Sequence, residues 1–312
     1  MTGEPPSEAD AVASRPPPGD PEPSTGAPPP IPTGPPLPDD AGDTRGWHFR
    51  RLLGSWIVLG LTAILAAIVL IAVGTQTGFG LGAAAAGGVL LVALVVVWAL
   101  ASSRAADDFF TAYANGRGLT RIDGKTSLPP ITPLLRKGDE RYAEQRFNGV
   151  LPGGLDGSLC LYTYEDESRD SDGNKQTTYV HFTVVMSQLP ETAPFLQELF
   201  CQRRFGFRFM DSMEDAFRRR QRVDQESEAV DKSFEIFTGE RDDLNRARQV
   251  LSPTFLVWLE ANAAEEFAFE LVAGSLVTNV KGHKKTASEL DRLCQVSAAV
   301  ARRLQQEAAE TA

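Results

Sequence analysis

The stretch that decides the architecture is SWIVLGLTAILAAIVLIAVG, from Ser55 to Gly74, followed closely by LGAAAAGGVLLVALVVVWALA, from Leu81 to Ala101. No Asp, Glu, Lys or Arg occurs between residues 52 and 103. A membrane-spanning helix needs about 20 apolar residues, so this interval is long enough for two. Soluble core helices keep polar residues on one face, and these segments have essentially none. The sequence therefore predicts a transmembrane hairpin with spans 55–74 and 81–101, joined by a tight turn over 75–80.

The charges that flank the predicted hairpin give its orientation. Arg45, Arg50 and Arg51 precede the first span, Arg104 follows the second, and the turn between the spans carries no charge. Lys and Arg are retained on the cytoplasmic side of a membrane. The sequence therefore predicts a multi-pass protein of the cell membrane with both termini in the cytoplasm.

Small residues recur at four-residue spacing at the start of the second span, at Gly80, Ala84 and Gly88. Such a stripe lets two helix backbones approach closely. Two interpretations stay open: the stripe packs against the first span of the same chain, or it forms a homo-oligomer interface between chains.

The first 46 residues have a different composition from the rest of the chain. They contain 14 of the 21 prolines, 8 acidic residues and 2 basic residues, but few large apolar side chains. Such a segment buries too little surface to offset the entropy cost of ordering, so it is predicted to be a disordered, acidic, proline-rich tail. The tail is either a solvated spacer or, through its P-x-x-P repeats between Pro32 and Pro38, a ligand for a proline-recognising domain.

The charge balance of the remaining chain excludes several classes of protein. Residues 105–312 hold 33 acidic and 26 basic residues, a net charge of −7, and the whole chain has a net charge of −10 with three cysteines. Together with the apolar interval, these numbers exclude a simple soluble enzyme, a disulfide scaffold and a generally basic nucleic-acid binder.

Residues 105–312 are long enough for one cytoplasmic domain with its own core. Strand patterns occur in blocks, with helical patterns between them, which predicts an α+β domain with a mostly antiparallel sheet and flanking helices. The predicted elements are a helix over 105–115 continuing the second span, strands over 142–150, 158–165, 177–188 and 232–238, a polar loop over 166–176, a short helix from Pro194, helices over 213–223 and 242–250, a helix capped by Ser252, a strand pair over 266–272 and 275–280, and a last helix opened by a Thr286–Glu289 capping box.

This layout resembles a family of uncharacterised bacterial membrane proteins, which have two spans near the N-terminus followed by a cytoplasmic α+β domain. The resemblance is carried by the span pair 55–101, by Arg146–Val150 (RFNGV), by Phe234–Phe237 (FEIF) and by Arg246–Pro253 (RARQVLSP). It implies the same architecture for this chain and assigns no activity, cofactor or site residue.

No local motif identifies a catalytic, cofactor-binding or metal-binding residue. The three histidines, His48, His181 and His283, and the three cysteines lie at no metal-ligand spacing. His181 lies on the clearest strand, where Tyr162, Tyr164 and Tyr179 are expected near it in a polar cluster, although a half-exposed strand histidine explains the pattern as well. The three cysteines are expected to be small buried or half-buried residues, the alternative being that Arg203 and Arg204 lower the pKa of the Cys201 thiol and activate it.

Basic residues occur in clusters on a domain that is acidic overall. At least one cluster is expected to contact anionic lipid, the alternative being separate solvated patches. The candidate contacts are Arg218, Arg219, Arg220, Arg222, Lys281, Lys284 and Lys285.

Three functions remain open at this point. The first is a membrane-tethered interaction or scaffold module for an unidentified protein partner. The second is a membrane-bound enzyme whose site assembles only in three dimensions. The third, a component of an oligomeric transporter, is disfavoured because the spans carry no ionisable residue.

Overall fold

The structure is a computed structural model that describes residues 40, 45–53, 56–77, 79–169, 173–203, 220–224 and 233–311. Apart from Asp40, Arg45 and Gly46, the predicted tail over 1–46 lies outside the described residues. The same holds for the predicted helix over 213–223, except for its last four residues.

Three helices come first: α1 (Arg45–Leu53), α2 (Trp56–Thr77) and α3 (Phe79–Gly116). Among the described residues, one helix, Ala83–Gly116, is long and apolar enough to cross a membrane, and Thr62–Val73 is a shorter apolar stretch. The predicted turn over 75–80 is wrong in extent, because α2 continues to Thr77 and α3 begins at Phe79. The Thr75 hydroxyl donates to the Ile71 carbonyl at 2.9 Å, and this bond satisfies the polar side chain within the helix.

The helix α3 connects the apolar segment to the domain without a break. Its 38 residues give a length of about 57 Å. Leu91 is 64% exposed near the middle of the apolar part, whereas Ala101 and Ala105 are fully buried. The predicted continuation of the second apolar segment into the domain is therefore confirmed.

The domain is built on a nine-stranded sheet, counted over the described residues, in which every neighbouring pair is antiparallel. The order is β1-β2-β3-β4-β9-β8-β5-β7-β6. This confirms the predicted α+β class with an antiparallel sheet. The strands are β1 (Thr120–Thr126), β2 (Glu140–Leu151), β3 (Leu155–Arg169), β4 (Lys175–Gln188), β5 (Glu198–Arg203), β6 (Arg220–Arg222), β7 (Phe234–Gly239), β8 (Ala268–Val272) and β9 (Ser275–Lys281).

Four further helices complete the described part of the domain: α4 (Pro133–Arg136), α5 (Leu244–Val250), α6 (Pro253–Asn262) and α7 (Ala287–Thr311). Two of the predicted start signals are confirmed by hydrogen bonds. The Ser252 hydroxyl accepts from the Phe255 N–H at 3.4 Å, and the Thr286 hydroxyl accepts from the Glu289 N–H at 3.3 Å. Both bonds satisfy an N–H group that has no partner inside the helix.

The two faces of the sheet are covered differently. One face, called here the helical face, packs against the end of α3 and against α5, α6 and α7, and it contains the larger buried cluster. The other face, called the connector face, is covered by the segment 127–136 between β1 and β2. Buried beneath this segment are Ala143, Cys160, Tyr162, Tyr164, Phe182, Val184 and Val277.

Two element predictions are wrong for one physical reason. The short helix predicted from Pro194 is replaced by strand β5, in which the neighbours Leu199 and Phe200 are both fully buried but belong to different apolar clusters. The end of the helix predicted over 213–223 is strand β6. In both segments pairing across the sheet, with β7 and β8, determines the structure, overriding local helical spacing.

The sheet is also more extensive than predicted. β3 reaches Arg169 and β4 begins at Lys175, so the predicted polar loop over 166–176 is mostly strand. Strand β1, with the sequence TRIDGKT, was not predicted, because it is polar and lacks an apolar alternation.

Candidate metal centre

Glu144, His181 and His283 come together on the helical face of the sheet, around the hydroxyl of Thr163. One ligand atom from each of the three lies within 4.8 Å of those of the other two. Thr163 is fully buried, at 0% exposure. The three residues are called the Glu144–His181–His283 cluster below. They are far apart in sequence, and strand pairing, a bulge in β2 and the turn after β9 bring them together.

The pairing of β3 with β4 places Thr163 directly opposite His181. Directly opposed residues have neighbouring side chains on the same face of an antiparallel pair. The Thr163 hydroxyl lies 2.9 Å from Nδ1 of His181 and donates to Oε1 of Glu144 at 2.8 Å. Because its one proton goes to the carboxylate, the hydroxyl accepts from Nδ1–H of His181, so the lone pair with which His181 would bind a metal ion is on Nε2.

His283 reaches the cluster because the chain turns immediately after β9. Gly282 has a φ of +79°, a conformation that favours glycine, and its N–H donates to the His181 carbonyl at 2.7 Å. The hydroxyl of Thr183 fixes the next part of the loop. It donates to the Gly282 carbonyl at 2.9 Å and accepts from the Lys284 N–H at 2.8 Å.

Glu144 is placed by an irregularity in β2. Ala143 pairs with Tyr162 and Gln145 pairs with Leu161, so Glu144 is an extra residue without a partner of its own on β3. Such a β-bulge redirects a side chain and frequently lies next to a functional site. The bulge aims the Glu144 carboxylate at the two histidines.

The ring nitrogens and the carboxylate oxygens surround a common point. Nδ1 of His181 lies 4.0 Å from one oxygen of Glu144, and Nδ1 of His283 lies 3.9 Å from the other. Ligands of a tetrahedral zinc ion, with bonds of about 2.0–2.1 Å, are about 3.3 Å apart. Nδ1 of His283 and the Glu144 oxygen would therefore have to approach by about 0.6 Å to bind such an ion together, and the ligand atom of His181 lies within 4.8 Å of both residues' ligand atoms.

The hydrogen bonds of His283 assign its tautomer. Nε2 lies 3.1 Å from the Tyr162 carbonyl, which can only accept, so Nε2 carries the proton and Nδ1 carries the lone pair. A carbonyl partner of this kind is the usual support for a metal-binding histidine. Burial lowers the pKa of His283, because its ring is only 12% exposed and desolvation disfavours the imidazolium. The unprotonated Nδ1 of His283 therefore faces the Glu144 carboxylate, an arrangement that a cation between them would stabilise.

The cluster is partly open to solvent. The side chain of His181 is 45% exposed and that of Glu144 is 41% exposed. Two imidazoles and one carboxylate are a ligand set for zinc and other divalent transition metals. Three protein ligands at a solvent-accessible position leave room for water or a substrate in the remaining coordination positions.

The sequence located His181 but not its partners. Tyr162 and Tyr164 are buried on the connector face, because residues on either side of Thr163 point to the opposite side of the sheet, so their expected place beside His181 is wrong. Glu144 and His283 were missed, because neither a bulge nor a turn after β9 leaves a metal-ligand spacing in the sequence.

The buried position expected for the three cysteines is confirmed, and the alternative of an activated Cys201 thiol is wrong. Cys201 is buried, and its burial raises the pKa of the thiol instead of lowering it. Arg203 lies 3.9 Å from Glu260, with which it forms an ion pair. Burial likewise raises the pKa of Cys160 to about 12 and raises that of Cys294.

The predicted lipid-contact residues have different surroundings. Arg218 and Arg219 lie outside the described residues. Arg220 donates to Glu198 at 2.9 Å and stacks 3.9 Å from the Phe200 ring, and Arg222 pairs with Asp224 at 3.2 Å. Lys281 and Lys284 are half-buried and Lys285 is exposed, all close to His283.

No protein-family model, curated protein or solved structure matches this chain. The resemblance to uncharacterised bacterial membrane proteins therefore remains a prediction.

Proposed function

We propose that this protein is a membrane-tethered cytoplasmic module whose sheet domain binds a divalent transition metal ion at the Glu144–His181–His283 cluster. The observation that carries the proposal is the convergence of two imidazoles and a carboxylate from β2, β4 and the loop after β9. In the absence of a cation, the lone pair of His283 Nδ1 faces a carboxylate oxygen at 3.9 Å. A metal ion held between the two groups would accept the lone pair of each and so relieve this unfavourable contact.

The tether is a hairpin formed by α2 and α3, with both termini in the cytoplasm. In support, large apolar side chains are exposed along both helices, including Ile64 at 60% and Leu91 at 64%. Exposed apolar surface of this extent requires a lipid or protein partner. The arginines that flank the hairpin favour a cytoplasmic position for both of its ends.

A homo-oligomer through Gly80, Ala84 and Gly88 forms part of the proposal. All three residues are exposed, and a side chain added at Gly80 or Gly88 would meet no atom within 4 Å. The stripe thus faces away from α2, which supports contact between chains over packing within the hairpin. Lipid contact by Lys285 remains a proposal of the same kind.

The chemistry of the ligands selects the kind of metal. Imidazole suits zinc, copper, iron and nickel, whereas magnesium and calcium prefer sites made of oxygen ligands. When bound, the ion would join β2, β4 and the loop 282–286, and it would thereby stabilise the surface that this loop forms. This supports an interaction or scaffold module with a metal-stabilised surface.

A second function, metal-dependent hydrolysis, is favoured by one observation. The cluster offers three protein ligands and is partly exposed. Catalytic zinc sites have this pattern, because the open position holds the water that the metal activates.

Titration of the full chain in detergent micelles or nanodiscs with Co²⁺, and then with Zn²⁺ as a competitor, tests the proposal. We expect a visible d–d absorption band typical of a site with nitrogen and oxygen ligands, which Zn²⁺ removes. Glu144→Gln and His283→Gln should each weaken binding at least tenfold, by analogy with the loss of supporting groups in metal sites. The matched control is His48→Gln, because His48 pairs with Asp108 outside the cluster.

Two results would contradict the metal proposal. One is the absence of a saturable Co²⁺ band. The other is equal affinity in the two cluster variants and in the control, since that would place the metal elsewhere. Hydrolysis of an ester or phosphodiester that depends on Zn²⁺ and on Glu144 would favour the second function.

A further inference from the structure

A groove of about 630 Å³ lies at the other end of the sheet from the metal cluster. It is bounded by the start of β3, the end of β4, the start of β9, the connector residues Pro129 and Ile131, and the last turns of α7. Its floor residue Ser158 is five positions along β3 from Thr163, a separation of about 17 Å along the strand. The groove is therefore separate from the proposed metal site.

Arg146 lies in this groove and is held by neutral partners only. Its Nε donates to Oδ1 of Asn148 at 3.0 Å, and Nη2 lies 3.3 Å from the Ser158 hydroxyl. The Ser158 hydroxyl in turn donates to Asn148 Oδ1 at 2.7 Å. These bonds fix the guanidinium group and satisfy two of its five N–H groups.

The positive charge of Arg146 is not neutralised by the described part of the protein. No carboxylate oxygen of those residues lies within 4.0 Å of its guanidinium, whereas Arg117, Arg121 and Arg220 each have such a partner. A second groove residue, Arg302, also lacks one and donates to the Gly153 carbonyl at 2.8 Å. The only acidic residue among those that line the groove is Asp156, so the lining carries a net positive charge in a domain that is acidic overall.

The free part of Arg146 suits an oxyanion. Both N–H groups of Nη1 and one of Nη2 remain after the bonds to Asn148 and Ser158. The two at the tip of the guanidinium form a fork that matches the spacing of two oxygens of a carboxylate or phosphate. Beside it, Ile131, Met186 and Val277 provide apolar surface for the body of a ligand, and the volume is that of a small-molecule site.

We infer that this groove binds a small organic anion, with a carboxylate or phosphate group on Arg146 and an apolar body against Ile131 and Met186. The inference does not depend on the metal proposal, since the two sites share no residue. It also gives a physical role to the Arg146–Val150 segment, which the sequence singled out and the metal cluster does not use.

The experiment uses the full chain in detergent at low, constant ionic strength, with butyrate as the carboxylate probe and inorganic phosphate as the phosphate probe. Saturation-transfer proton NMR reports butyrate, and phosphorus line broadening reports phosphate. We expect saturable binding of at least one probe and a loss of at least tenfold in Arg146→Gln, because a hydrogen bond to a charged group contributes about 1.5–3 kcal/mol. Whichever probe binds more tightly identifies the anionic group.

Two further variants make the result decisive. Arg302→Gln changes a side chain at the rim of the groove and should also weaken binding. Because it leaves the hydrogen bonds of Arg146 intact, it tests the inference even if Arg146→Gln folds poorly. Arg248→Gln is the matched control, because Arg248 is exposed to solvent outside the groove and donates only to the Asp224 carbonyl. Absence of saturable binding by both probes would overturn the inference, as would an equal loss in the control or unchanged binding in both groove variants.

Discussion

Replacing Glu270 by Gln should make the domain more stable, and the gain should grow as the pH rises. Glu270 lies on β8 beneath the connector and is only 3% exposed. Its two oxygens accept from the Leu134 N–H at 3.3 and 3.1 Å. Burial raises the pKa of Glu270 from 4.5 to about 7, because desolvation of the carboxylate outweighs its hydrogen bonds and the positive charges of Arg220 and Arg136.

The direction of the pH dependence follows from proton binding by Glu270 in the folded and unfolded chain. Between pH 4.5 and 7 the folded chain holds the proton and the unfolded chain does not, so the free energy of unfolding falls as the pH rises through this window. Above pH 7 both states are ionised and the loss is complete. A pKa difference of about 2.5 corresponds to on the order of 3 kcal/mol, or up to about 300-fold in the unfolding equilibrium. Gln keeps an acceptor for the Leu134 N–H and does not ionise.

Labelling of the buried cysteines measures this effect. Cys160, Cys201 and Cys294 are all buried, so a thiol reagent reacts with them only when the domain opens. Unlike tryptophan fluorescence, this measurement receives no signal from the apolar helices. At each pH the labelling rate of the native chain is divided by that of Glu270→Gln, which cancels the intrinsic pH dependence of the thiols. We expect a ratio that rises at least tenfold between pH 5 and pH 8. A constant ratio would refute the reasoning, since it would mean that Glu270 ionises equally in both states.

Three other outcomes follow from the structure. Asp291→Ala should lower the free energy of unfolding by about 3–5 kcal/mol, because it leaves the buried guanidinium of Arg117 unpaired. The same cysteine labelling measures this change, and a labelling rate equal to that of the native chain would contradict it. Gly282→Ala should lower the free energy of unfolding by about 1 kcal/mol and weaken Co²⁺ binding, because the turn with a φ of +79° positions His283. Unchanged Co²⁺ affinity would show that the turn is unimportant for the cluster. In a background without native cysteines, a cysteine that replaces Thr77 should react with an impermeant thiol reagent added outside intact cells, whereas one that replaces Ser24 should not. The reason is that the proposed hairpin has both termini inside the cell. The reverse labelling pattern would overturn that orientation.

The sequence was most informative where one local cause determines the structure. The strand at Thr177–Gln188 alternates apolar and polar residues, and the helix starts at Ser252 and Thr286 carry their own caps, so these predictions are confirmed. The segment from Pro194 has apolar residues at helical spacing but forms β5. Its partners β7 and β8 lie more than 30 and 60 residues away, and a local pattern carries no information about them.

The candidate metal centre could not be predicted for a related reason. Its histidines are 102 residues apart in sequence, and they meet because β4 pairs with β9 and the chain then turns at Gly282. The third ligand depends on a one-residue bulge in β2, which shifts the register and has no compositional signal. The sequence indicates the site only through His181 on a strong strand, and the tyrosines of β3 that are predicted near it point to the other face.

Both halves of the metal centre are connected to the helix that carries the apolar segment. Gln145, next to Glu144, accepts from Nε of Arg121 at 2.9 Å, and Nη1 of Arg121 donates to the Asp107 carbonyl of α3 at 3.0 Å. On the other side, Asp291, in the second turn of α7 after the His283 loop, accepts from Tyr113 of α3 at 3.1 Å. A displacement of α3 relative to the sheet would therefore change the position of Glu144 relative to His283. If the cluster binds a metal ion and α3 lies in a membrane, as proposed above, a movement of α3 would therefore be expected to alter the affinity of the cluster for the ion.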